Sequence, residues 1–166
     1  METYSGLDFE KISENDVQAM TEIMKKAFDE DSKIHLGKDT GGPDGYDNGE
    51  FIRKWFFKDN AHAYKISKCG RLIGGINVFI NENGENYLGN VFLDPQFSDK
   101  GLGTIVWNFI EQKYPHTKVW RTDTPSFQRR NHNFYVNKCG FKIVKINNPR
   151  DEFPDYILEK KMESKN

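Results

Sequence analysis

The sequence predicts a mixed α/β domain built around one central, mostly antiparallel sheet. Three observations carry this prediction. Runs of β-prone residues follow one another across short turns in the middle of the chain, apolar residues recur at helical spacing on either side, and helices alternate with strands after Pro95. The 166 residues suit one domain, 1–166, and apolar residues, at 36%, are enough for one core.

The first third of the chain predicts a strand and two helices. Residues 9–12 form the strand, and the acidic residues 14–16 favour the start of a helix that should end near Asp29. Residues 49–57 form the second helix. The glycine-rich segment 29–48 between the helices has two interpretations, a disordered surface excursion or a lid on the substrate side.

The rest of the chain predicts an antiparallel meander followed by alternating elements. The Asn83-Gly84 pair is typical of a hairpin turn, and Asp94-Pro95 ends a strand. The predicted strands are 62–67, 71–80, 87–93, 118–122, 141–146 and 156–159, and the predicted helices are 101–113 and 131–138.

Composition excludes several classes of protein. The 24 basic and 25 acidic residues leave a net charge of −1, which gives no basis for binding nucleic acid or an anionic membrane surface. No apolar run approaches the ~20 residues that span a bilayer, and the acidic N-terminus is unlike a signal peptide. We therefore expect a soluble, cytoplasmic protein with two free thiols, Cys69 and Cys139. The four histidines lack metal-ligand spacing, so no metal site is expected.

One stretch carries a chemical signal. Residues 90–104 run from an apolar strand through Asp94-Pro95 and a polar loop to Gly101-Leu102-Gly103, which opens an amphipathic helix. The first N–H groups of a helix and its dipole bind anions, and glycine lets the backbone approach a phosphate closely. The glycine pattern of a dinucleotide fold and the Gly-Lys-Ser/Thr of a P-loop are both missing. On this stretch alone, a tight turn without a ligand stays an alternative.

Two motifs together resemble those of the GNAT family of N-acetyltransferases. Residues 91–104 resemble its pyrophosphate motif, a hydrophobic strand and Asp-Pro followed by Gln/Arg-x-x-Gly-x-Gly, with Ser98 where the family usually has Gln or Arg. Residues 131–141 resemble its second motif, a helix with a tyrosine before Gly-Phe. The element order also matches along almost the full length. The resemblance implies a twisted sheet of six to seven strands, about four flanking helices, and acetyl-coenzyme A as cosubstrate.

The resemblance also implies where the cosubstrate binds. In the family, the strand before Asp-Pro splays from its neighbour and pairs with the pantetheine arm, and the loop after it holds the pyrophosphate on backbone N–H groups. A further cofactor contact falls on Asn131 or on Gln128, which has the more usual spacing from Tyr135. Carried over, the binding residues are Val91, Phe92, Leu93, Asp99, Lys100, Gly101, Leu102, Gly103, Thr104, Gln128 and Asn131.

The implied reaction is direct attack of an amine on the thioester, without a covalent enzyme intermediate. A base must take a proton from the amine, and an acid must protonate the leaving thiolate. Tyr135 is the candidate acid, although it lies five residues before Gly140 where four is usual, and Val136 holds the usual position. One extra residue in the turn restores the geometry; otherwise Tyr135 is a core residue. Asp123 and Glu85 are the candidate bases, with a surface carboxylate as the alternative for each.

Several functions stay open at this level. The preferred acceptor is the primary amine of a small molecule, and a protein N-terminus or lysine is the alternative. A non-catalytic sensor of acyl-coenzyme A is a third hypothesis. Dimers are common among similar proteins, so a homodimer also stays open, although no residue of this sequence argues for one.

Overall fold

The protein is built on one eight-stranded sheet. The computed structural model describes residues 1–98 and 100–163. The strands are β1 (Glu2–Tyr4), β2 (Leu7–Lys11), β3 (Ala61–Lys68), β4 (Arg71–Phe79), β5 (Glu85–Leu93), β6 (Val119–Pro125), β7 (Lys142–Asn147) and β8 (Asp155–Lys161). Their order across the sheet is β1-β2-β3-β4-β5-β6-β8-β7. Every neighbouring pair is antiparallel except β5 and β6, which run parallel.

Helices cover both faces of this sheet. The helices are α1 (Val17–Leu36), α2 (Glu50–Trp55), α3 (Leu102–Lys113) and α4 (Arg129–Asn133), and a π-helical turn (Phe134–Lys138) continues α4. Helices α1 and α2 bury Met20, Met24 and Ile52 against one face. Helix α3 buries Val106 and Ile110 against the other. Because each helix turns an apolar stripe toward the sheet, the molecule has two core layers with the sheet between them.

The predicted mixed α/β class and the mostly antiparallel sheet are confirmed. The sheet has eight strands rather than six to seven because the three-residue β1 adds a strand at the edge, paired with β2 through Glu2 and Phe9. A three-residue strand is too short to leave a periodic pattern in a sequence.

The predicted end of the first helix near Asp29 is wrong. Helix α1 continues to Leu36 and ends at Gly37, whose φ of 66° is the left-handed conformation of a helix C-cap. No glycine or proline interrupts residues 30–36, and Ser32 is buried within them. The connection to α2 is therefore the shorter segment 37–49.

Candidate active site

A seam opens in the sheet between β5 and β6. These strands pair only at their first residues, Glu85 with Val119 through Tyr87 with Arg121. Just beyond, the Thr122 hydroxyl donates to the Leu88 carbonyl at 2.9 Å. From Gly89 to Leu93, β5 has no register partner on β6, so the β5 edge that faces β6 is left for another molecule to pair with.

A β-bulge on β5 lies at the point where the seam begins. On β4, Asn77 pairs with Asn90 and the next residue, Val78, pairs with Leu88, so Gly89 is the extra residue. A Cβ on Gly89 would lie 2.8 Å from the Phe79 ring, which explains why glycine occupies this position. A bulge bends its strand and increases the local twist. The bulge therefore contributes to the separation of β5 from β6.

One cleft runs through the seam and collects most of the predicted site residues. Its walls come from the end of α1, the segment 37–49, α2, β4, β5, the start of α3, the end of β6, and α4 with its π-helical turn. The predicted residues that line it are Val91, Phe92, Leu93, Gly101, Leu102, Gly103, Thr104, Asp123, Gln128, Asn131 and Tyr135.

Among the described residues, two predicted ones, Lys100 and Glu85, do not line the cleft. Lys100 is exposed, with its Nζ 5.8 Å from the centre of the Phe97 ring. Glu85 is also exposed and lies 3.4 Å from a guanidinium nitrogen of Arg121. Asp99 lies outside the described residues. Of the two candidate bases, only Asp123 faces the cleft.

The start of α3 presents an open backbone to the cleft. Gly101 caps the helix with a φ of 76°, and a Cβ there would meet no atom within 4 Å. The first N–H groups of a helix have no intrahelical partner, and those of Leu102, Gly103 and Thr104 belong to residues that line the cleft. The positive end of the helix dipole is located here too, so this end of the cleft suits a phosphate group.

Gln128 and Asn131 lie at the start of α4 and also line the cleft. Gln128 is 5% exposed, and its Oε1 has no hydrogen-bond partner. The Asn131 side-chain amide donates weakly to the Thr124 hydroxyl, at 3.5 Å. A buried amide oxygen without a donor is rare in folded proteins, which suits a ligand that brings an N–H group.

The π-helical turn gives Tyr135 its position. The Cys139 N–H donates to the Phe134 carbonyl five residues earlier, at 3.0 Å, so this turn contains one residue more than an α-helical turn. Tyr135 is 6% exposed and lines the cleft, whereas Val136 is 37% exposed. The extra residue anticipated from the spacing before Gly140 is therefore present, and the tyrosine rather than the valine faces the cleft.

The Tyr135 phenol keeps its proton at neutral pH. Burial raises the pKa of Tyr135 well above its usual value, and the nearby Cys139 and Asp123 add to the shift. The ring packs against Phe134 and Phe141 with centroids 5.5 and 5.9 Å away. These contacts restrict the side chain, so the proton is held at a defined place.

Asp123 forms a carboxylate–phenol pair with Tyr87 across the narrow end of the seam. The Tyr87 hydroxyl donates to Asp123 Oδ1, and both residues line the cleft. Asp123 is exposed at the cleft mouth, but surrounding protein atoms limit hydration of the carboxyl. This desolvation raises the pKa of Asp123 above its usual value, and the nearby Asp155 adds to the shift. A carboxylate with a raised pKa is a stronger base than an ordinary aspartate.

The segment 37–49 is tied to α1 and is part of the cleft wall. Asp29 accepts hydrogen bonds from the Tyr46 hydroxyl at 2.6 Å and from the Gly41 N–H at 3.1 Å. The Ser32 hydroxyl donates to the Gly41 carbonyl at 2.8 Å. Residues 40–44 line the cleft. Of the two interpretations of this segment, its contacts favour a wall on the substrate side.

The polar residues of the cleft that sequence reasoning missed include Asn77, Asn90 and Asp31. Asn77 and Asn90 are register partners on β4 and β5. Asp31 lies on α1, with Oδ1 3.9 Å from a guanidinium nitrogen of Arg130, and burial raises its pKa to about 6. The two asparagines stand inside apolar strand patterns, where a lone polar residue is a signal of a site. Asp31 had no such signal, since the helix was predicted to end before it.

Other site types find little support in the described residues. No group of three or more His, Cys, Asp and Glu side chains among them could hold a metal ion. Cys69 is exposed and Cys139 is buried, each as a free thiol. Within residues 1–98 and 100–163, no helix has the length and apolar character needed to cross a membrane.

The chain is similar to a relative in sequence and to several solved structures in fold. The chain is 35% identical over 146 residues to the uncharacterized protein YrkN of Bacillus subtilis (strain 168), which covers 87% of the chain and 78% of the relative. An acetyltransferase from Thermus thermophilus superposes with a TM-score of 0.75 at 11% identity, covering 94% of this chain and 97% of that one.

Two further structures carry more specific names. The ribosomal-protein-S18-alanine N-acetyltransferase of Escherichia coli superposes with a TM-score of 0.71 at 11% identity, covering 96% of each chain. The spermidine N-acetyltransferase of Vibrio cholerae, in complex with CoA and spermine, superposes with a TM-score of 0.68 at 12% identity, covering 95% of this chain and 96% of that one. At these identities, the likeness establishes the fold.

A family model assigns the chain more directly. Residues 18–141 match the acetyltransferase (GNAT) family, a span that contains the seam, the start of α3 and the π-helical turn. The chain therefore belongs to the GNAT acetyltransferase family and is an acyltransferase with acetyl-coenzyme A as its cosubstrate.

Proposed function

We propose that the protein transfers the acetyl group of acetyl-coenzyme A to the primary amine of a small molecule, within a ternary complex and in a single domain, 1–166. One observation carries the proposal. The cleft runs along an unpaired strand edge, with the open start of α3 at one end and the Tyr87–Asp123 pair at the other.

The residues present fit the cosubstrate. The unpaired edge of Val91, Phe92 and Leu93 offers backbone groups to the two amides of a pantetheine arm, in the manner of an added strand. The N–H groups at the start of α3 suit a pyrophosphate. At the start of α4, the orphaned Oε1 of Gln128 suits an amide N–H. When bound, the cosubstrate supplies an acyl group on a good leaving group.

Two side chains would act as the general base and the general acid of the acetyl transfer. The amine nitrogen forms a bond to the acetyl carbon, and the carbon–sulfur bond breaks. Asp123 takes the proton that the amine nitrogen releases, directly or through one water, and Tyr135 gives its proton to the departing sulfur. Solvent then exchanges a proton between these residues, so that the enzyme returns to its starting state.

Two features support a small amine as the acceptor. The tethered segment 40–44 walls the cleft on the α1–α2 side, which narrows the entrance for a folded protein. The lining contains six acidic and six basic side chains, and carboxylates such as Asp123 and Asp155 are available there as partners for a cationic amine. The spermidine N-acetyltransferase of similar fold acts on a small cationic amine, spermidine. The S18-alanine enzyme has a protein acceptor, which keeps protein N-termini and lysines as the alternative.

The proposal carries two further expectations. Acetyl-coenzyme A is a cytoplasmic metabolite, so we expect a cytoplasmic protein that acts on free metabolites. A homodimer is compatible with the cleft, because all the side chains assigned to the reaction lie on one chain.

Calorimetric titration with acetyl-coenzyme A tests the cosubstrate site. Gly101→Glu introduces a carboxylate where the backbone faces open cleft, and we expect it to abolish micromolar binding through charge repulsion and occlusion. Gly70→Glu is the matched control. Gly70 has a φ of 79° and nothing within 4 Å of an added Cβ, but it lies in the β3–β4 turn and does not line the cleft.

The outcomes separate the hypotheses. Binding by wild type and by Gly70→Glu, but not by Gly101→Glu, supports the site and justifies a screen of small amines. Failure of the folded wild type to bind acetyl-coenzyme A would refute the proposal. Tight binding without turnover of any amine or peptide would favour the acyl-coenzyme A sensor.

A further inference from the structure

Asn77 presents a hydrogen-bond acceptor that nothing in the described structure uses. Its side-chain amide nitrogen donates to the Trp55 carbonyl at the end of α2, at 3.1 Å, and this contact fixes which end of the amide is oxygen. Asn77 is 1% exposed, and its Oδ1 has no donor. The residue nevertheless lines the cleft, so the unused oxygen belongs to the wall of the candidate site.

Asn90 repeats this feature on the neighbouring strand. It is the direct register partner of Asn77, and its Oδ1 is also buried without a donor. Side chains of register partners in an antiparallel pair lie on the same face, with Cβ atoms about 4.5–5.5 Å apart. Asn90 itself is only half-buried and lines the cleft, so rotation about its Cβ–Cγ bond turns the oxygen toward the bound molecules.

Two unpaired acceptors side by side are unfavourable unless a ligand supplies donors. A buried acceptor without a partner loses its hydration and gains no hydrogen bond in return. The reacting end of an acetyl thioester has a carbonyl oxygen and a sulfur, and neither donates a hydrogen bond. In the proposed reaction the amine brings N–H groups to this part of the cleft. The asparagines lie beside the Gly89 bulge, where the seam begins and where the thioester must be reached.

We propose that Asn77 and Asn90 are positioning residues that hold the two N–H groups of the acceptor amine on their Oδ1 atoms. The neutral nitrogen then keeps its lone pair directed away from both oxygens and toward the acyl carbon. This inference rests on the proposed function and adds to it the residues that recognise the nucleophile.

The arrangement selects for primary amines. A neutral primary amine has two N–H groups and satisfies both oxygens. A secondary amine or an alcohol has one donor and leaves one buried oxygen unpaired, which a site built to hydrogen-bond its substrate rejects strongly. The class of acceptor is therefore a primary alkylamine, with secondary amines and alcohols as poor substrates.

Three compounds of equal chain length and three variants test the proposal. Acetyl transfer is measured with 1,4-diaminobutane, N,N′-dimethyl-1,4-diaminobutane and 1,4-butanediol. Asn90→Leu removes the acceptor oxygen at similar volume, and Asn90→Asp keeps an oxygen in the same place. Asn83→Leu, in the exposed β4–β5 turn, is the control. Binding of acetyl-coenzyme A alone, melting temperature and the side-chain amide NMR signals of Asn77 and Asn90 are recorded in parallel.

We expect the Asn90→Leu substitution to change kcat/KM for the acceptor but not the affinity for the cosubstrate. The diamine should exceed its dimethyl derivative and the diol at least tenfold in kcat/KM. Asn90→Leu should lower kcat/KM for the diamine roughly tenfold, while its affinity for acetyl-coenzyme A stays at the wild-type value. Asn90→Asp should retain most of the activity. In the wild-type complex with coenzyme A, the diamine should shift both asparagine signals.

Three results would overturn the inference while leaving the cosubstrate site intact. One is weaker binding of acetyl-coenzyme A alone by folded Asn90→Leu, which would assign the asparagines to the cosubstrate. Another is unchanged kcat/KM in Asn90→Leu. The third is binding of acetyl-coenzyme A by a protein that neither acetylates the diamine nor shows shifted Asn77 and Asn90 signals. Absence of acetyl-coenzyme A binding would instead refute the proposed function itself.

Discussion

At the scale of single residues, Tyr135 and Asp123 meet opposite chemical needs within one cleft. Burial raises the pKa of both, but the consequence differs because their ordinary pKa values lie on opposite sides of neutrality. The phenol starts above neutrality and moves further up, so it stays a proton donor. The ordinary pKa of the carboxyl lies well below neutrality and is raised by burial, so the carboxylate becomes a better proton acceptor.

Replacing Tyr135 by phenylalanine should lower turnover about 100-fold. General acid catalysis accelerates a reaction by about this factor or more, and phenylalanine has no proton to donate. Acetyl-coenzyme A affinity should stay unchanged, since the ring and its contacts with Phe134 and Phe141 remain. Steady-state kinetics and calorimetry separate these quantities. Tyr4→Phe, which removes a hydroxyl paired with Gln112 outside the cleft, is the control. Equal turnover in the two variants would make Tyr135 a core residue only.

At the scale of elements, the π-helical turn explains how Tyr135 can face the cleft although it lies five residues before Gly140 instead of the usual four. An extra residue in an α-helix produces such a turn and rotates the residues after it about the helix axis. Here the extra residue leaves the Val136 side chain exposed to solvent, and Cys139 and Phe141 that follow are again buried in the core. Tyr135, the second residue of the turn, faces the cleft, which is the direction expected of a tyrosine in an α-helical turn that is one residue shorter.

Deleting Val136 should therefore convert the turn to an α-helical one without loss of function. The deletion leaves Tyr135 four residues before Gly140, removes no buried side chain, and should change stability by less than about 1 kcal/mol, or about 2–4 °C in Tm. Thermal denaturation and turnover check this. Deleting Tyr135 instead leaves Val136 at the usual spacing, and activity should be lost. A deletion of Val136 that abolished activity would mean that the π-helical geometry itself positions the phenol.

Most elements could be predicted from sequence because their signals are local. The period of Val17, Met20 and Met24 predicts α1, and Asn83-Gly84 predicts the turn between β4 and β5. The strand β1 was missed because it depends on pairing with β2 rather than on its own pattern. The end of α1 was misplaced because acidic residues near Asp29 resemble a loop.

The candidate site was predictable only where its residues lie close together in sequence. The start of α3 carries a local motif, so Gly101 and Gly103 could be recognised. The pairing of Tyr87 with Asp123 joins residues 36 apart in sequence, and the pairing of Asn77 with Asn90 depends on the strand register at a bulge. Register and through-space contacts are set by tertiary structure, which a single sequence does not display.

At the scale of the whole molecule, the cosubstrate should act as a structural link between the two sides of the seam. A ligand at 100 times its Kd stabilises the folded state by about 2.7 kcal/mol if it binds only that state. For a protein of this size, Tm should rise by roughly 5–11 °C. Thermal denaturation with and without coenzyme A measures the shift. Gly101→Glu should show none, whereas an equal shift in that variant would place the binding energy away from α3.

The seam also has a consequence for how the native protein opens. Strands β1 to β5 form one continuous set and β6 to β8 another, and three register pairs join them across the sheet, beside side-chain contacts such as Thr122 to Leu88 and Tyr87 to Asp123. Helix α3, packed on the core beneath, also connects the two sets. Breaking these few contacts separates less structure than global unfolding, so the two strand sets are candidates for separate cooperative units. Native-state hydrogen exchange would then follow a boundary set by β5 and β6, with the cosubstrate-binding edge of β5 on one side and Asp123 and Tyr135 on the other.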